Sequence, residues 1–93
     1  MTIEQLLEKL KNDRVLAERV RHDCCEKCCE LRAEIKDIFD YAYNTDDLSQ
    51  QLDELRIRLR AAEYDERMAC YDLFLISITI DTIDKIKKRL GRV

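Results

Sequence analysis

Apolar residues recur along the chain at alternating spacings of four and three, the signature of helices packed along a seam. In the C-terminal half the series is Leu48, Leu52, Leu55, Leu59, Ala62, Glu66, Ala69, Leu73, Ile76, Ile80, Ile83, Lys87 and Leu90, and eleven of these thirteen positions are apolar. In the N-terminal half it is Ile3, Leu7, Leu10, Arg14, Ala17, Arg21, Cys24, Cys28, Leu31, Ile35, Ile38 and Ala42. Cysteine counts here as a small apolar residue, which makes ten of the twelve apolar. Each register persists for about six heptads, so the pattern predicts an all-α fold, a long antiparallel helical hairpin of coiled-coil type.

The punctuation agrees with the periodicity. Thr2 and Gln5 have the spacing of a capping box, and Gly91 follows Leu90 as a helix stop. Between the two series lies Tyr43-Asn44-Thr45-Asp46-Asp47, where Asn44 can end one helix and Thr45 can cap the next. The expected elements are a helix over 2–43, a turn at 44–45 and a helix over 46–90, all within a single domain, 1–93. Folding at that turn sets Leu31 against Leu59, Cys28 against Ala62 and Ile3 against Lys87.

Two segments leave other readings open. The polar run Lys11-Asn12-Asp13-Arg14 can break the first helix and give three helices. Residues 76–83 alternate apolar and polar side chains as a strand does, but a lone strand has no partner in this chain, and Ile76, Ile80 and Ile83 fit the helical seam.

The second helix carries another four-three series, Ile57, Ala61, Tyr64, Met68, Tyr71, Leu75 and Ile78. At 100° per residue it is centred about 160° from the seam, so a two-helix hairpin cannot bury both. Leu6, Val20, Cys25, Phe39 and Phe74 widen the apolar surface beside these rows. Three arrangements cover the second row: a homodimer forming a four-helix bundle, the groove for a different protein, or an intramolecular core if the chain breaks into more helices. The homodimer is the expectation, because symmetric dimers are the commonest solution for such faces. Tyr64, Met68 and Tyr71 suit it, combining large contact area with adaptability or a polar tip.

The most unusual local string is Cys24-Cys25-Glu26-Lys27-Cys28-Cys29. On a helix its four thiols spread over about 140° of arc with neighbouring sulfurs one turn apart, an array able to hold a soft metal such as zinc or copper. In form it resembles the tetracysteine tags that capture biarsenical dyes. Structural zinc sites usually draw paired ligands from two separated elements, and here no second cluster exists, only Cys70 and the single His22. The CX3C spacing of Cys24 and Cys28 is shared with the small Tim chaperones of mitochondria, but their hairpin needs a matching pair on its second helix. The leading expectation is therefore no metal and no cofactor, with Cys24 and Cys28 as small seam residues and Cys25 and Cys29 beside them.

Composition narrows the function. Forty per cent of the residues are charged, Gly occurs once and Pro never, which excludes folds built on many tight turns. A net charge of -3 argues against a general nucleic-acid surface, although Lys85, Lys87, Lys88, Arg89 and Arg92 make the C-terminal end basic. Residues 37–55 carry six acids and no base, opposite in sign to that end. No run is long enough for a membrane span and the N-terminus lacks the features of a signal peptide, so the expected compartment is the cytoplasm. Neither a nucleophile with an oriented base nor a phosphate-binding loop is discernible. The expectation is a non-enzymatic protein-protein interaction module, an adaptor, assembly factor or small regulator with a protein partner that the sequence does not identify. A thiolate metal-binding or redox-sensing protein is the alternative, and a weak nucleic-acid binder the third.

Overall fold

The computed structural model describes residues 1–41 and 46–91, with side chains described for 1–40 and 48–91. It contains two helices, α1 (Ile3–Tyr41) and α2 (Asp46–Leu90), and no strand among the described residues. The chain is an all-helical hairpin with no break at residues 11–14, so the three-helix alternative does not hold. The turn expected at 44–45 lies outside the described residues.

The N-terminal cap forms as its spacing implies. The Thr2 backbone N–H donates to Gln5 Oε1 at 3.0 Å, and the Gln5 N–H donates to Thr2 Oγ1 at 3.2 Å. At the other end the Gly91 N–H donates to the Lys87 carbonyl at 3.0 Å. Gly91 has no left-handed backbone angle, and a Cβ there would meet the Lys87 and Lys88 carbonyl oxygens at ordinary contact distances of 3.5 and 3.7 Å. The helix therefore stops there without using the conformation that favours glycine.

The alternating segment 76–83 is helical. Threonine weakens a helix because its hydroxyl competes for backbone partners, but here the hydroxyls stay within the helix. Thr79 Oγ1 donates to the Leu75 carbonyl and Thr82 Oγ1 to the Ile78 carbonyl, each at 2.8 Å. Seam burial of Ile80, with Ile76 and Ile83 half-buried, outweighs the β-branched preference for a strand.

The residues fall into two compact units, and each uses a segment of both helices. In the unit His22–Arg67, Cys28, Leu31, Leu55 and Ala62 form a buried cluster, with Ile35, Ile38 and Leu59 packed against it. That cluster contains both layers expected here, Leu31 with Leu59 and Cys28 with Ala62. Arg32 Nη2 meets Glu63 Oε1 at 3.4 Å beside it. In the unit formed by Met1–Arg21 and Met68–Val93, Leu7, Ala69 and Ile80 are buried. There Lys87 Nζ reaches Glu4 Oε1 at 3.6 Å, consistent with the layer that sets Ile3 against Lys87. Both ion pairs are solvent-exposed and screened by water, so they contribute little, and apolar burial along the seam does most of the stabilising.

Every buried residue among those described lies on one of the two seam series. The rule weakens at the ends, where Ile3 and Leu90 are exposed although both occupy seam positions. Leu55→Ala should destabilise the fold by about 2–5 kcal/mol, because truncation at a buried site leaves a cavity. Ser49→Ala, at an exposed site on the same helix, should change stability by less than about 0.5 kcal/mol. Urea denaturation followed by circular dichroism measures both.

Candidate interaction surface and cysteine cluster

The second series on α2 is open to solvent along its length. In the unit His22–Arg67, Ile57 is 67% exposed, Tyr64 is 59% exposed and Ala61 is also exposed. In the other unit, Met68, Tyr71, Leu75 and Ile78 are between 43% and 56% exposed. The cause is angular: α2 turns its seam toward α1, and a position half a turn away has no residue of α1 to meet. Val20, Phe39 and Phe74 are exposed as well, whereas Leu6 and Cys25 are half-buried. Val15, Leu16 and Ile86 are further exposed apolar residues that the periodicity does not single out, because they belong to neither series.

The cysteines are divided by the helix they share. Cys28 is completely buried in the core cluster, Cys24 and Cys25 are half-buried, and Cys29 and Cys70 are exposed. No disulfide joins them. Burial pushes the Cys28 thiol above its ordinary value. A hydrogen bond to Glu66 and the charge of that carboxylate act in the same direction, Arg32 acts against them, and the charge of Glu63 adds a smaller upward push. A protonated thiol packed on Ala62 and donating to a carboxylate is a structural group. Cys28 is therefore unsuited to bind a metal together with the outward-facing Cys29.

On the outward side of α1, His22, Cys25, Glu26, Cys29 and Glu30 line one shallow open depression. His22 stands between two carboxylates, with Nδ1 3.9 Å from Asp23 Oδ1 and Nε2 3.7 Å from Glu26 Oε1. One donor atom from each of His22, Asp23 and Glu26 lies within 4.8 Å of the others. The sequence pattern gave His22 no role, because its relation to Glu26 becomes visible only as a pair one helical turn apart.

At the basic end, Lys85, Lys88 and Arg89 are exposed and Lys87 is engaged with Glu4. No helix among the described residues is long and apolar enough to cross a membrane. The chain matches no protein-family model, no curated protein and no solved structure.

Thiol chemistry should follow this division. In native, reduced protein, iodoacetamide should modify Cys29 and Cys70 first and Cys28 last, the order being read by peptide mass spectrometry over time. The folded Cys28 thiol holds its proton more tightly than the unfolded one. The stability linked to it is therefore complete below the ordinary value of 9.0 and is lost as pH rises through the raised folded value. Cys28→Ala should lessen the alkaline loss of thermal stability, and Cys29→Ala should leave it as it is.

Proposed function

We propose that the chain is a non-enzymatic protein-protein interaction module whose first partner is a second copy of itself, docked along the exposed row of α2. The observation that carries this reading is the exposure of Ile57, Tyr64, Met68, Tyr71, Leu75 and Ile78, large side chains at regular spacing on one helix.

A second copy fits the row because the row reads alike from either end. If two α2 helices run antiparallel about an axis beside Met68, Ile57 meets Ile78, Ala61 meets Leu75, Tyr64 meets Tyr71 and Met68 meets its own copy. Small or flexible residues then face large ones, and the tyrosines can turn their hydroxyls to water at the edges. The same spacing continues to Glu54 at one end and Thr82 at the other. Antiparallel pairing sets the Glu54 carboxylate against the Thr82 hydroxyl, whereas parallel pairing would set Glu54 against its own copy. Such a dimer is a four-helix bundle. The role in keeping with it is that of an adaptor, assembly factor or small regulator, in which dimerisation presents two copies of every remaining surface to a further protein.

Central positions in an interface contribute more than its ends. Met68→Glu places two carboxylates at the axis and should raise the dimer dissociation constant by about a hundredfold, roughly 2.8 kcal/mol. Ile57→Glu, at the edge, should raise it by about tenfold. Sedimentation velocity across a dilution series measures both. An unchanged constant for Met68→Glu, or a larger effect at Ile57, would remove the proposed pairing.

A further inference from the structure

Within the unit His22–Arg67, residues of α1 and α2 line an open groove of about 350 Å³. Ile38 and the buried Leu55 give it an apolar lining, and Glu34, Asp37 and Glu54 supply three carboxylates against one cation, Arg58. A second depression, of about 450 Å³, shares Glu34 and Arg58 with it and adds Glu30 and Lys27 beside Leu31 and Ala61. Such a surface, apolar within and acidic at its edges, fits a helix that has an apolar stripe and basic flanks.

The chain carries a segment of that kind. In the last turns of α2, Ile86 and Leu90 stand one turn apart and are 46% and 62% exposed. Lys85, Lys88 and Arg89 around them are exposed as well. We propose that the basic end of α2 in one copy docks into the acidic groove of another. Ile86 and Leu90 then cover Ile38 and Leu55, and the basic side chains meet Glu34, Asp37 and Glu54.

Charge selects this match. Residues 37–55 carry six acids and no base, and residues 85–92 carry five bases and no acid. Groove against groove, or end against end, would set like charges together. Roughly 46 Å of continuous helix separates Leu55 from Ile86, so the end that fills a groove comes from a different copy.

The contact is heterologous. Each copy offers one groove and one basic end, so a docked pair still presents a free groove, and association can continue past a dimer. The area is small and the charges are exposed, which makes the contact weak and sensitive to salt. None of the groove residues named above except Ala61 belongs to the outer row of α2, and the docking does not rest on the pairing proposed for that row.

Carbodiimide joins lysine amines to carboxylates that they touch, and mixing chains of light and heavy nitrogen separates links between copies from links within one. In reduced full-length protein at low salt, mixed-isotope links should join Lys85 or Lys88 to Glu34 or Asp37. They should fall by about tenfold in ~0.5 M salt. Met68→Glu, which disrupts the row pairing, should leave them in place. Ile86→Ser keeps every charge and should lower their yield by about threefold, with circular dichroism checking that the helices persist. Absence of links to both Glu34 and Asp37 would overturn the proposal. So would links confined to Glu54 that vanish in Met68→Glu, because the row pairing would then account for them. A yield unchanged in Ile86→Ser would overturn it as well, since charge alone would explain the links.

Discussion

The structure depends on how α2 divides its apolar side chains. One row packs against α1 and supplies Leu55, Ala62, Ala69 and Ile80 to the buried set, and the opposite row faces water. A helix offers 360° of surface to its neighbours, and a single antiparallel partner covers only about a third of it. Two apolar rows about 160° apart cannot both be covered by α1.

The core that results is narrow. Only seven described residues are buried, and two of them are alanines, so each layer of the seam buries little area. Small residues at Cys28, Ala62 and Ala69 let the helices approach closely but add little apolar area of their own. Chains of this size bury a modest fraction of their surface even when compact, and covering the outer row of α2 would add stabilisation that the seam alone does not supply. Cys28 shows how far the seam excludes water. Its sulfur is out of contact with solvent, and it stays protonated beside Glu66 instead of acting as a reactive thiolate.

Much of this was legible in the sequence. The helix ends follow from Thr2 with Gln5 and from the run after Leu90, and the hairpin register follows from four-three spacing that places every buried described residue on a seam. The outer row was visible for the same reason, since the periodicity that marks a buried face also marks a second one. Other features were not visible because they depend on side-chain direction and not on spacing alone. The cysteine string reads as one cluster, but 100° of rotation per residue separates Cys28 from Cys29 and leaves Cys24 half-buried. The approach of His22 to Asp23 and Glu26 is likewise a matter of rotamers on an exposed face, where sequence constrains little. Residues 76–83 could be read in two ways, and the backbone partners of Thr79 and Thr82 show how the helix accommodates them.

Sedimentation equilibrium of the unaltered, reduced protein decides whether a second copy covers α2. If the exposed row of α2 is covered by a second copy, the mass at micromolar concentration is twice the chain mass of 11.1 kDa. A mass of 11.1 kDa that persists as the concentration is raised, with the helices intact, would contradict the account.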